Sequence, residues 1–193
     1  MSLNVIKGRT DPYGVLGLPR TFYLDLNAIE EAFRRSAALH HPDQAGGSTA
    51  SFHELQEAAT ILRDPAKRLR YLASAPETSS IPLPAAATAL FPTIVTQLQY
   101  SDVLLKKYQA TQGSLAKAIM IDELVNTRLK INEVLSSVQQ WQDDLAQKLR
   151  DLDTGASETS PQELLELANS FSFAQRWNQQ LRERELMLTT LLG

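Results

Sequence analysis

Residues 37–46 read AALHHPDQAG, and within this stretch His41, Pro42 and Asp43 set an imidazole and a carboxylate on either side of a rigid imino acid. A histidine beside an aspartate can act as a general base with an orienting partner, ligate a metal with His40 and His53, or form a recognition tip without chemistry. The rest of the chain disfavours the first two. It has no Gly-rich phosphate loop, no H-E-x-x-H pair, no nucleophile elbow and no cysteine. His40 and His41 are adjacent, and adjacent helical side chains point in different directions, which is poor geometry for a metal cage with Asp43 and His53. We therefore read the motif as a binding tip and expect no enzymatic activity, no metal and no cofactor. Pro42 disfavours helical geometry at His41, and Gly46 and Gly47 loosen the chain beyond, so a helix should end here with His41 and Asp43 projecting from it.

Short amphipathic helices surround this tip. LNAIEEAFRRSAALH precedes it, with Ile29, Ala32, Phe33, Ala37 and His40 on one face and Glu30, Glu31, Arg34 and Arg35 turned away. SFHELQEAATIL follows, its Phe52, Leu55, Ala58, Ala59 and Leu62 forming the answering face. DPYGVLGL opens the set, and PAKRLRYLAS closes it with Asp64 and Pro65 in N-cap and N1 positions. No segment alternates like a strand, so the expected class is all-α.

The segment SAPETSSIPLPAAATALFP, residues 74–92, holds four of the nine prolines and little helical period, which suggests a linker. Charge divides there too: residues 1–75 carry nine Lys or Arg against eight Asp or Glu, and 76–193 carry ten against fourteen. We expect one domain over 10–75, a linker over 76–92 and a helical bundle of about three helices over 93–193. In the bundle, Leu124, Ile131, Val138, Leu145 and Leu152 recur every seven residues with Val134, Trp141 and Leu149 between them. The last helix starts at SPQELL, with Ser160 as cap, Pro161 at N1 and Glu163 placed to close a capping box. Its Leu164, Ala168, Phe171, Ala174, Leu181 and Leu188 share a face, and Trp141 and Trp177 read as core anchors.

Bulk properties narrow the partners. A net charge of -3 over 193 residues argues against nucleic-acid binding, which needs a basic face. The longest apolar runs fall far short of the roughly 20 residues that span a bilayer, so no membrane partner is expected. The N-terminus lacks the apolar core of a secretory signal, so we expect a cytoplasmic protein, or one of an organelle matrix if a transit peptide has been removed. The lack of cysteine excludes disulfides, thiolate nucleophiles and direct cysteine ligation of an iron-sulfur cluster.

HPD between AIEEAFRRSAALH and FHELQEAATILRDPAKRLRYL resembles the J-domain of DnaJ-type co-chaperones over residues 10–73. The resemblance implies an antiparallel helical hairpin with flanking short helices, docking on an ATP-bound DnaK-class ATPase chaperone and stimulating its hydrolysis. It implies that His41, Pro42 and Asp43, with Arg34 and Arg35 on the preceding helix, bind that chaperone. Those arginines are also placed for i,i+4 pairs with Glu30 and Glu31, the ordinary solvated-face arrangement. Gln44, Glu30 and Glu31 stand where such domains commonly carry lysine, which thins the basic face.

Gly-Leu-Pro followed by Phe22, Leu24 and Asp25, with LRDP and YLAS further on, is similar to the HscB-type co-chaperones of iron-sulfur cluster assembly. That family joins a J-domain to a helical bundle that carries an iron-sulfur scaffold protein. The implied scaffold-binding residues are Ile94, Val95 and Leu98 in IVTQL, and Phe173 in SFAQRW. Helical spacing also allows Ile94, Val95 and Leu98 to be bundle core. The continuation QYSDVL departs from the family's acidic-basic run, so recruitment of the chaperone to a different client is the alternative function.

Overall fold

The computed structural model describes residues 10–40, 48–74, 84–155 and 159–192. His41, Pro42 and Asp43, and the side chain of His40, lie outside the described residues. Among the described residues there is no strand. The helices are α1 (Pro12–Leu16), α2 (Leu26–His40), α3 (Thr49–Arg63), α4 (Pro65–Leu72), α5 (Ala85–Ala110), α6 (Ser114–Ile119), α7 (Ile121–Thr154) and α8 (Pro161–Leu192). They divide into two compact units: residues up to 82 together with 146–169, and 83–145 together with 170–193.

In the first unit, local chemistry sets each helix end. Asp11 caps α1 by accepting the Tyr13 and Gly14 N–H groups, both at 3.3 Å, and Pro12 occupies N1. Gly17 closes α1 at φ 63°, a left-handed conformation that a β-carbon would strain. Ser48 caps α3, and Asp64 caps α4 through Ala66 and Lys67 with Pro65 at N1. The core joins Tyr13 and Leu16 of α1, Ile29 and Ala32 of α2, and Leu55, Ala58, Ala59 and Leu62 of α3. Phe33 and Ala37 pack partly against it, and Phe52 is half-buried. Each large apolar side chain so enclosed contributes about 1.5–3 kcal/mol. A bidentate bond from Arg63 near the end of α3 to Glu30 near the start of α2 makes the hairpin antiparallel, with Nε–Oε1 at 2.6 Å and Nη2–Oε2 at 2.9 Å.

In the second unit α7 supplies Leu124, Ile131, Val134, Val138, Trp141 and Leu145 to the core, the stripe its heptad spacing predicts. From α8 come Phe171, Ala174, Trp177, Leu181 and Leu188, and from α5 Ala87, Ile94, Leu104 and Leu105. Phe91 meets Trp177 with ring centroids 6.3 Å apart, and Arg184 of α8 forks onto Asp102, so α5 and α8 run parallel. Gln142 accepts from Asn178 at 3.2 Å beside the Trp141–Trp177 ring contact. The enclosed hydroxyls of Ser101 and Thr127 donate to carbonyls of their own helices, Leu98 and Glu123, so neither is an unsatisfied polar group.

Two features differ from the sequence expectation. Residues 85–92, read as linker, form the first turns of α5 with Pro92 inside the helix. The alanine-rich run has strong helix propensity, and a proline eight residues into the helix removes one N–H without ending it. The six-residue α6, opened by Gly113 at φ 90°, has no counterpart in the periodicity reading.

Candidate functional site

On α2, Arg34 and Arg35 face solvent. The sequence pairs them with Glu30 and Glu31, and the structure keeps only one such pair. Glu31 and Arg35 lie 3.6 Å apart, both well exposed. Glu30 is taken by Arg63 instead, because a planar guanidinium on the facing helix engages both carboxylate oxygens at once. That hydrogen bond is the main reason the Glu30 carboxyl is held below its ordinary value. The Arg63 guanidinium also lies over the Phe33 ring, 4.7 Å from its centroid. Among the described residues, Arg34 donates from Nε to the Glu30 carbonyl at 3.4 Å. The Arg34 side chain is exposed, and Leu39 on the same helix is 72% exposed. His53 is exposed and sits 3.9 Å from Glu57.

The α1–α2 loop is fastened from two sides. Arg68, 2% exposed, donates from Nε to the Phe22 carbonyl at 3.0 Å and from Nη1 to the Leu62 carbonyl at 2.5 Å. Burial pulls its pKa down, and nearby Asp64 and Asp153 oppose that pull. Leu62 lies in the last turn of α3, where carbonyls lack helical partners, so Arg68 acts as a cap for that end. Tyr13 donates its hydroxyl to the Thr21 carbonyl at 2.9 Å, and burial raises its pKa far above the ordinary phenol value. Sequence reasoning assigned Arg68 no role; an arginine amid the inward residues Ala66 and Leu69 of a short helix was the available signal.

The bundle carries the second predicted set. Ile94 is fully enclosed, as the core reading of its spacing allows: the helix turns it inward beside Ala87 and Ser101, one face of α5. Val95, Leu98 and Phe173 are half-buried. The Trp177 ring gathers Phe173 at 5.5 Å and Phe91 at 6.3 Å, which brings the α8 aromatic to the start of α5. Phe91, 48% exposed, precedes Val95 by four residues and Leu98 by seven, so the three form one stripe. Reading 85–92 as linker hid that spacing. Gln97 of the same motif has its Oε1 enclosed with no hydrogen-bond partner among the described residues.

Residues 11–71 match the model of the DnaJ domain, and the chain is a J-domain protein. Along this part it is 42% identical over 64 residues to the chaperone protein DnaJ of Caulobacter vibrioides, covering 32% of this chain and 16% of that one. A longer match joins both halves: 30% identity over 154 residues to the co-chaperone protein HscB homolog of Bordetella avium, covering 73% of this chain and 88% of the relative. The chain belongs to the HscB family of co-chaperones. The fold agrees with that of chaperone HscB from Vibrio cholerae, with a TM-score of 0.52 at 16% identity over 90% of this chain and 96% of that one.

Proposed function

We propose that this protein is a co-chaperone of iron-sulfur cluster assembly that recruits a DnaK-class chaperone, stimulates its ATPase and delivers an iron-sulfur scaffold protein to it. The observation that carries the reading is the match to an HscB homologue through both halves of the chain, with HPD between the two hairpin helices. In this reading His41, Pro42 and Asp43 engage the chaperone's nucleotide-binding domain, and the Asp43 carboxylate makes a charge-assisted bond to a cation there. Arg34 and Arg35 steer the encounter with an acidic surface, and the exposure of both side chains supports that role. The protein supplies no reacting group of its own; the chemistry is the chaperone's.

Val95, Leu98 and Phe173 present the apolar surface for the scaffold. Burial of Ile94 removes one residue from the family's patch, which favours a second reading in which the bundle recruits a different client. The deciding experiment measures ATP hydrolysis by the chaperone with purified full-length protein, with and without scaffold protein. His41→Gln should abolish stimulation while circular dichroism stays unchanged, and added scaffold should raise the stimulated rate. Unchanged stimulation by His41→Gln rejects the J-domain mechanism, and stimulation that ignores the scaffold rejects that cargo in favour of another.

A further inference from the structure

Apart from the residues already assigned, a groove of about 480 Å³ runs between α7 and α8 within the second unit. Its walls are largely primary amides: Gln139 and Gln142 from α7, and Gln175, Asn178 and Gln179 from α8. The α8 residues, with Arg182 and Leu186, follow three- and four-residue steps and so share one face of that helix. Phe173, two positions before Gln175, lies on the opposite side, so the groove is separate from the apolar stripe.

Hydrogen bonds orient these amides. Arg182 donates from Nε to Asn178 Oδ1 at 2.7 Å, and Asn178 donates from Nδ2 to Gln142 Oε1 at 3.2 Å. That directed chain ends on the Gln142 amide nitrogen, a donor. Gln139 and Gln179 each direct an N–H along their own helix, to Asp143 at 3.1 Å and Glu183 at 3.0 Å, with their amide oxygens as acceptors. A primary amide has two N–H groups and two acceptor sites, and a guanidinium has five donors, more than these bonds occupy. Donors and acceptors therefore stand side by side, and the two charged lining residues, Arg182 and Glu183, balance. Such a surface favours neither an anion nor a cation. It matches the peptide group, which presents one N–H and one C=O. The spacing agrees, because four residues of helix advance about 6 Å, close to the roughly 6.6 Å of two residues of extended chain. From Gln175 to Leu186 the face runs roughly 16 Å, the length of about five extended residues. At its end Leu186, 64% exposed, offers an apolar contact to one side chain.

We propose that this groove is a second polypeptide-binding site, which takes an extended, uncharged segment of a partner protein by its main chain. The Gln142–Asn178–Arg182 chain holds the donors in place, and Gln139 and Gln179 supply the acceptors. Reading the main chain tolerates many side-chain sequences, so the site suits a flexible segment rather than a folded surface. The inference stands apart from the proposed function, and its test needs no chaperone.

The test uses full-length protein and a blocked, fluorescein-labelled seven-residue peptide of alternating threonine and leucine, with binding read by fluorescence anisotropy. Gln179→Ala, at an exposed position, should weaken binding roughly three- to tenfold, the scale of one lost hydrogen bond. Asn178→Leu should weaken it further, because it releases both Gln142 and Arg182, and circular dichroism reports whether that half-buried substitution leaves the helices intact. The same peptide with alternate backbone nitrogens methylated should bind at least tenfold more weakly, since it keeps its side chains and loses main-chain donors. No binding of the parent peptide by wild type up to millimolar concentration overturns the proposal, as does binding that Gln179→Ala and Asn178→Leu leave unchanged. Equal affinity for the methylated peptide overturns recognition through the main chain. A concentration-dependent dimer in analytical ultracentrifugation that Gln179→Ala abolishes makes a second copy of this chain the occupant, and overturns the proposal as well.

Discussion

Replacing Arg68 by methionine keeps most of the side-chain volume and removes every donor. The guanidinium it deletes is enclosed, bonds the Phe22 and Leu62 carbonyls, and has no carboxylate in direct contact among the described residues. Hydrogen bonds from a charged donor contribute about 1.5–3 kcal/mol each, so the gross loss is roughly 3–6 kcal/mol. Relief from burying a cation offsets part of this, but two carbonyls are left facing an apolar side chain, at about 1–3 kcal/mol each. We expect a net destabilisation of roughly 2–4 kcal/mol for Arg68→Met. Arg68→Lys should fall between this variant and wild type, because an ammonium on a flexible stem cannot hold two carbonyls in the fixed fork of a guanidinium. For a domain of this size each kcal/mol moves Tm by about 4–8 °C, so the methionine variant should melt roughly 10 °C or more below wild type. Urea denaturation followed by circular dichroism measures the difference, with an unchanged slope indicating a true stability effect. If both variants stay within about 0.5 kcal/mol of wild type, the reasoning that Arg68 ties the loop and the end of α3 together is wrong.

Ile94→Ala should destabilise the bundle by about 2–5 kcal/mol through an unfilled core site, whereas Val95→Ala, at a half-buried position, should cost clearly less stability and weaken scaffold binding in a titration; the reverse pattern would contradict the assignment of Ile94 to the core and Val95 to the partner-facing stripe. Because Arg63 holds the Glu30 carboxyl below its ordinary value of 4.5, the pairing stabilises the fold fully above that value and is lost as pH falls through the lower, folded value. The stability gap between wild type and Glu30→Gln should therefore close on acidification, and a gap independent of pH would refute the pairing. Arg34→Glu should slow association with the chaperone more than Arg35→Glu does, and added salt should diminish both effects. Stopped-flow binding at two ionic strengths checks the order, and equal effects would deny that the Glu31 pair restrains Arg35.

Local signals in the residues were enough to specify the helices of the first half, their ends, and the faces they bury. Asp11-Pro12, Asp64-Pro65 and Ser160-Pro161 start helices because a short polar side chain followed by proline satisfies a helix start whatever surrounds it. The seven-residue spacing along α7 likewise marks a buried stripe before any partner is known. HPD identified the class of protein from its place between two matching helices. Tertiary packing decided the rest, since each side chain had more than one possible partner. Glu30 could reach Arg34 four residues on, yet the bidentate fork from Arg63 won it. Ile94 and Val95 are adjacent, and only the position of the neighbouring helices determined that Ile94 turns inward. Asp153 meets Phe22 and Tyr23 across about 130 residues of chain, a separation over which no periodicity or spacing rule carries information.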